Sequence, residues 1–183
     1  MSTAANIVII ILEIIGLGIS IKSRKAEVFV YYTQLANMVT LLSSAVFLAA
    51  KGSPAAAVLR YLSTVMLVMT FLITVAVLAP QMEDGFRKLM FSGNGLYHHT
   101  LCPVISVASY VLWEPHSGVW LLPTVLTFVY GLVMLYLNYS KKYDGPYPFF
   151  RVYDQSAAAT VIWMAALTGL IALISLAVRL AAA

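Results

Sequence analysis

The stretch VFVYYTQLANMVTLLSSAVFLAA, residues 28–50, contains no charged residue in 23 positions. A helix of roughly 20 mostly apolar residues is long enough to cross the hydrocarbon core of a bilayer. The stretch therefore predicts a transmembrane helix. Similar segments lie at residues 5–21, 61–79, 97–112, 118–137 and 157–180. Because the connections are short and favour antiparallel packing, we predict an all-α, polytopic membrane protein in which residues 1–183 form one domain, a bundle of six transmembrane helices.

The amino-acid composition is that of a membrane protein. The chain of 183 residues is 62% hydrophobic and 10% charged, whereas soluble domains are about 45–50% apolar and about 25% charged. The formal net charge of +4 comes from lysines and arginines in short patches between apolar runs. We therefore expect membrane lipids as partners and no nucleic acid. The oligomeric state stays open, and since no Gly-rich phosphate loop or haem motif is present, no cofactor is expected.

Lysines and arginines are divided unequally between the two ends of the predicted bundle. The first, third and fifth connections hold eight of them, and the other side holds three, which are Lys51, Arg60 and Arg179. Cytoplasmic loops of membrane proteins carry an excess of positive charge. We therefore expect the odd-numbered connections in the cytoplasm and both termini outside.

Polar residues form a stripe along the second predicted helix. Thr33, Asn37, Thr40 and Ser44 recur at intervals of four, three and four residues, which places them on one helix face. Such residues often pack helices against one another in membranes, and that interpretation stays open beside a functional one. Gln34 lies about 100° off the stripe, toward a neighbouring helix or the cytoplasmic interface.

Two histidines, His98 and His99, open the fourth predicted helix within the sequence LYHHTLCP. Ionisable residues inside membrane segments are rare and often functional, although a ring resting at the interface is the simpler alternative. Their side chains point about 100° apart, so one shared task is not expected. Thr33 and His99 both follow a cytoplasmic connection closely. The topology therefore predicts that they lie at the same end of the bundle.

The fifth connection, YDGPYPFFRVYD, belongs to the same end and contributes further polar side chains. It contains Asp144, Tyr147 and Asp154, and its Pro146 and Pro148 predict a stiff loop. An aromatic belt at the membrane interface is the alternative interpretation of this loop.

A threonine hydroxyl beside a histidine is suited to nucleophilic catalysis. The hydroxyl is weak unless a base takes its proton, and neutral histidine is such a base near pH 7. The site would also need hydrogen-bond donors for a developing oxyanion, and Gln34, Asn37 or a tyrosine hydroxyl could supply them. For the group that orients the histidine, Asp144 and Asp154 are the candidates. Direct attack by a water activated by His99, with Thr33 only positioning the ester, stays open.

Four motifs in order along the chain, YYTQLAN, HHTLCP, WLLP and YDGPYPFF, resemble the androgen-induced-gene family of integral membrane hydrolases, and in particular its prokaryotic members. The resemblance covers most of the chain from Val28 onward. It implies a threonine-type hydrolase in a bacterial inner membrane, acting on a lipid ester, as the animal members do on fatty acid esters of hydroxy fatty acids. The essential threonine of the family falls on Thr33 and its essential histidine on His99.

Two departures from the family pattern bear on the predicted site. Asn37 lies four residues after Thr33, whereas the animal proteins have their asparagine three residues after the threonine. The doublet leaves either His98 or His99 to match the family histidine, and Pro103 favours His99. The supporting residues predicted around the pair are Gln34, Asn37, His98, Asp144 and Tyr147.

Other classes of function compete with hydrolysis. Glu13, in the middle of the first predicted helix, favours a nonenzymatic small transporter or lipid-binding protein if its carboxyl carries protons, although a structural carboxyl bonded to a neighbour is the simpler interpretation. Cys102 shares a helix face with His98, but zinc needs three or four ligands and His116 lies beyond the far end of the helix, so no metal is expected. Cys102 as the acyl acceptor is a further alternative, although a single buried cysteine is usually an apolar filler.

Overall fold

The structure is a computed structural model that describes residues 1–116, 119–145 and 147–182. Gly118, where the fifth predicted span begins, and Pro146 of the predicted stiff loop lie outside the described residues. Within the described part of the chain all regular structure is helical, which confirms the all-α prediction. The α-helices are α1 (Ser2–Arg24), α2 (Tyr32–Ala49), α3 (Pro54–Ile73), α4 (Gly85–Met90), α5 (Cys102–Trp113), α6 (Leu122–Tyr139) and α7 (Ala157–Ala181).

Among the described residues, five helical segments are long and apolar enough to cross a membrane, which indicates a membrane protein. They are Ser2–Val30, Tyr32–Ala49, Pro54–Gln81, Leu122–Tyr139 and Ala157–Ala181. The fourth predicted span is not among them. It is divided into a π-helical segment, Leu96–Leu101, and the 12-residue α5.

Two predicted helix starts are wrong, and each has a local cause. The second helix begins at Tyr32 rather than Val28, because Lys25–Val30 forms a 3-10 helix. The third begins at Pro54 rather than Tyr61, because the Ser53 hydroxyl accepts a hydrogen bond from the Ala56 N–H at 3.2 Å and proline suits the first helical position.

Helix α3 lies at the centre of the molecule. It contacts α2, α5, α6 and α7, while α1 packs against α2 and α5 on one side and α6 packs against α7 on the other. Tyr61, Val65 and Leu67 of α3 are fully buried in the core. Large apolar side chains of α1, α6 and α7 are exposed, as expected for helices that face lipid.

A buried ion pair closes one end of the bundle. Arg60, at the start of α3, donates from Nε to Glu114 at 2.7 Å, and neither side chain is accessible to solvent. Arg60 also donates to serine hydroxyls of α2, α3 and α5, and Glu114 accepts from Asn6 at 2.8 Å. The prediction that Arg60 belongs to an exposed connection is therefore wrong. Its charge is matched inside the fold, as burial of a charge requires.

Candidate functional site

Two π-helical turns form at the opposite end of the bundle, and a proline follows each of them. Thr74–Leu78 extends α3 and precedes Pro80, while Leu96–Leu101 leads into α5 and precedes Pro103. Proline has no N–H to donate, and its ring clashes with the carbonyl four residues earlier, so the preceding turn cannot keep regular α geometry. π-turns of this kind often occur at functional sites.

The two π-turns meet through one hydrogen bond. His99 Nδ1 lies 2.7 Å from the Thr74 hydroxyl, and both side chains are buried. This contact fixes the orientation of the imidazole ring. The other ring nitrogen, Nε2, has no hydrogen bond to protein among the described residues. Thr74 therefore occupies the orienting position for which Asp144 and Asp154 were candidates.

Thr33 is the second residue of α2, where backbone N–H groups have no partner within the helix. Its N–H donates to the Tyr147 hydroxyl at 3.3 Å, and its own hydroxyl lies 3.3 Å from the same oxygen. Burial raises the pKa of Tyr147, so the phenol stays protonated. Tyr147 thus caps the helix and keeps a hydroxyl proton available to Thr33 or to a ligand.

Thr33 and His99 line one polar cavity of about 380 Å³ that opens to the surface. Gln34, Thr74 and Tyr147 also line it. Among the hydrogen bonds of the described residues none joins Thr33 to His99, so the two groups face the same cavity without touching. A ligand in that cavity could contact both.

A second, apolar pocket adjoins the polar cavity between α3, α6 and α7. Its free volume is about 40 Å³. Thr33, Thr74, Leu78 and Tyr147 line both spaces. Thr33 therefore lies where the polar cavity meets the apolar pocket.

His98 points away from His99 and toward α1. Its Nε2 lies 3.5 Å from a carboxyl oxygen of Glu13, and its Nδ1 lies 3.4 Å from the Gln34 amide nitrogen. All three side chains are buried. Gly16 makes room for the ring, since a Cβ built there would lie 2.6 Å from His98 Cδ2 and closer still to Nε2. His98 is thus a bridge between α1 and α2, in a different environment from His99.

The remaining predicted residues are dispersed. Asn37 is buried, and its amide N–H donates to the Thr33 backbone carbonyl at 2.6 Å, so it supports the α2 backbone. Asp144 is exposed and lines neither cavity. Asp154 is also exposed, 3.9 Å from Arg151. Thr40 donates to the Ala36 carbonyl within its own helix.

Sequence reasoning missed Thr74, because a single threonine in an apolar helix carries no distinctive signal. Pro80 was the available clue. Each proline disturbs the turn before it, and the disturbed turns hold Thr74 in one case and His98 and His99 in the other.

The chain matches no family model, no curated protein and no solved structure. Among the described residues, no group of three or more His, Cys, Asp or Glu side chains could hold a metal ion. The side chains around the polar cavity and the apolar pocket are therefore the basis on which we propose a function.

Proposed function

We propose that this protein is an intramembrane lipid ester hydrolase with Thr33 as nucleophile and His99 as general base. The observation that carries the proposal is the position of Thr33 at the junction of the two compartments. An ester has a polar reacting group and an apolar acyl chain, and this junction offers a compartment for each. The polar compartment also holds His99, a base whose ring orientation is fixed.

The acylation step uses groups already in the site. With the Nδ1 proton of His99 donated to Thr74, the Nε2 lone pair accepts the proton of the Thr33 hydroxyl through one water molecule in the polar cavity. The Thr33 oxygen then forms a bond to the ester carbonyl carbon, and the carbonyl electrons move onto its oxygen. When this intermediate collapses, the bond to the alcohol oxygen breaks, and the alcohol leaves with the proton from His99.

Three features of the site would stabilise the negative charge of the intermediate. Thr33 lies in the first turn of α2, where the helix dipole is positive. The neutral Tyr147 hydroxyl, 3.3 Å from Thr33 Oγ1, can donate to the oxyanion. The described wall of the polar cavity includes Arg24 and Lys88 and no acidic side chain, which also favours negative charge.

Hydrolysis of the acyl-threonine completes the cycle. A water in the polar cavity gives its proton to His99 Nε2, and its oxygen forms a bond to the acyl carbon. The bond from the acyl carbon to Thr33 Oγ1 then breaks, and the threonine oxygen takes the proton back from His99. The products are a carboxylic acid and an alcohol.

The proposal includes a setting in the membrane. We infer that Leu96–Leu101 and α5 together act as a sixth span, that both termini lie outside, and that the site faces the cytoplasm of a bacterium. The excess of lysine and arginine at the site end supports this orientation. The resemblance of YYTQLAN and HHTLCP to the androgen-induced-gene family is consistent with an ester substrate, and fatty acid esters of hydroxy fatty acids are one candidate.

The test is ester hydrolysis by the purified protein in lipid nanodiscs. We expect Thr33→Ala and His99→Ala each to lower the rate by at least about a hundredfold. Thr40→Ala and His116→Ala are matched controls outside both cavities and should retain activity. An ester-reactive probe should label Thr33, as read by mass spectrometry. Full activity of either site variant, or labelling of Cys102 instead, would overturn the assignment.

A second candidate is proton-coupled transport, and one observation favours it. Glu13 is fully buried; its polar neighbours are the Cys102 thiol, which donates a hydrogen bond to it, and His98, and no lysine or arginine of the described residues forms an ion pair with it. A carboxyl in that state, 3.5 Å from His98, could bind and release a proton. Proton uptake by reconstituted vesicles that Glu13→Gln abolishes and Thr33→Ala leaves intact would favour this function over hydrolysis.

A further inference from the structure

We propose that the apolar pocket takes the acyl chain of the substrate and that Met164, resting against Gly131, limits that chain to about three or four carbons. This inference rests on the proposed ester hydrolase function and specifies its substrate class. It concerns the wall of the pocket between α6 and α7, which the reaction chemistry does not use.

The pocket favours hydrocarbon because most of its wall is apolar and three of its hydroxyl groups already have partners, while the Thr70 hydroxyl has none among the described residues. Tyr32 and Thr127 share a hydrogen bond of 2.8 Å, and the Tyr130 hydroxyl donates to the Val30 carbonyl at 2.7 Å. Most of the remaining wall is apolar and includes Phe149 and Leu167. A polar ligand would lose its hydration and could regain few hydrogen bonds, chiefly from Thr70, whereas an alkyl chain gains burial.

The volume of the pocket sets the length of the chain. The free volume is about 40 Å³, and one water-sized group needs roughly 10–15 Å³ by this measure. The pocket therefore accommodates about three or four such groups beyond the ester carbon. A longer acyl chain could lie wholly inside the pocket only if a wall residue moved.

Met164 is the wall residue that closes the pocket against Gly131. A Cβ built at Gly131 would lie 2.8 Å from Met164 Cε and 3.1 Å from its Sδ, so the thioether occupies the space that the glycine leaves. Methionine is long, flexible and unbranched. Shortening residue 164 should lengthen the pocket, and adding a methyl at residue 131 should shorten it.

The experiment measures kcat/KM for p-nitrophenyl acetate, butanoate, octanoate and dodecanoate in nanodiscs. The wild-type protein should prefer butanoate, with a loss of about tenfold or more at octanoate. Met164→Ala should move the optimum to octanoate or beyond, and Gly131→Ala should move it to acetate. Gly169→Ala is the matched control, since nothing lies within 4 Å of a Cβ built there, and it should keep the wild-type profile.

A measurement without turnover separates this inference from the proposed function. Butanoate and dodecanoate analogues that carry a diazirine at the chain end are photocrosslinked to the protein, and the labelled peptide is identified. The short probe should label the Leu167 or Phe150 peptide of the wild type, and the long probe should label it only in Met164→Ala.

The outcomes are distinct. If no ester is hydrolysed but the probes discriminate by length, the hydrolase proposal fails and the pocket assignment stands. If the wild type prefers dodecanoate, if Met164→Ala leaves the length profile unchanged, or if the short probe does not label the pocket, the inference is wrong.

Discussion

Gly16→Ala tests whether α1 is shaped around His98. The added Cβ would lie 2.6 Å from His98 Cδ2, whereas ordinary van der Waals contact begins at 3.4 Å. The ring would have to retreat by at least about 0.8 Å, a distance set by these two values. Retreat from α1 also carries the ring away from Glu13, which lies on the same helix face. The backbone offers no relief, because Tyr97 Cβ lies only 3.0 Å from the new methyl group.

The magnitude follows from comparing this glycine with its neighbour Gly18. Either substitution by alanine gains roughly 0.5–1 kcal/mol of helix stability, and nothing lies within 4 Å of a Cβ built at Gly18. The two variants therefore differ by the overpacking cost at Gly16 alone, which is about 1–3 kcal/mol. For a chain of this size, that corresponds to a melting temperature about 2–12 °C lower in Gly16→Ala than in Gly18→Ala.

The assay is thermal unfolding of both variants in the same detergent, followed by a double-mutant cycle with His98→Ala. Removing the ring should relieve the clash, so Gly16→Ala should cost little in the His98→Ala background. If Gly16→Ala melts together with Gly18→Ala, or if its cost is the same without the imidazole, the packing of His98 against α1 is refuted.

Three further predictions concern other contacts of the bundle. Thr74→Val should leave His99 Nδ1 unpaired and lower the rate of ester hydrolysis by about tenfold to a hundredfold. Thr74→Ser keeps the hydroxyl and should recover most of the rate. An unchanged rate in Thr74→Val would contradict the orienting role of Thr74. Glu114→Ala should leave Arg60 buried and unpaired and cost about 3–5 kcal/mol, which denaturant or thermal unfolding would show as a large loss of stability. Tyr147→Phe should lower kcat about tenfold. Burial raises the pKa of Tyr147, so wild-type activity and the stability that depends on the neutral phenol should persist below the ordinary tyrosine pKa near 10 and fall as the pH rises through the raised value. Loss of the neutral phenol at a lower pH, measured by ultraviolet absorbance, would contradict this.

The fold was largely predictable from sequence, because a long apolar run is strong evidence for a membrane-spanning helix and charged residues are strong evidence against one. The start of α3 is one of the exceptions. Arg60 made residues 54–60 look like a connection, yet they belong to α3, because Glu114 arrives from the end of α5 to match the charge. A single arginine gives no indication of a partner 54 positions away. Hydropathy therefore missed the first two turns of a helix whose start is set by Ser53 and Pro54 and whose buried arginine is matched by a tertiary contact.

The site was predictable in its residue types and incomplete in its contacts. Topology predicted that Thr33 and His99 lie at the same end, and the structure gives them a common cavity. Topology could not predict the hydrogen bond between His99 and Thr74, because that contact depends on the geometry of two π-turns in different helices. Asp144, chosen because a carboxylate commonly orients a catalytic histidine, lies on an exposed loop instead.

The two ends of the bundle differ in how their buried polar atoms are satisfied. At one end every nitrogen of Arg60 donates a hydrogen bond, and both oxygens of Glu114 accept one. Toward the other end, buried side-chain atoms of Gln34, Asn37, Thr70 and His98 have no partner among the described residues. Each such atom costs about 1–3 kcal/mol, so the cost falls mainly beside the cavity that holds Thr33.

Gln34 lies between the polar cavity and the buried side chain of His98. It lines the polar space, and the partner of its amide is His98 Nδ1. An unprotonated Nδ1 requires the amide N–H of Gln34, whereas a protonated Nδ1 requires the carbonyl oxygen instead. The Gln34 amide nitrogen faces Nδ1, so the neutral ring carries its proton on Nε2 and directs it toward the Glu13 carboxyl, 3.5 Å away.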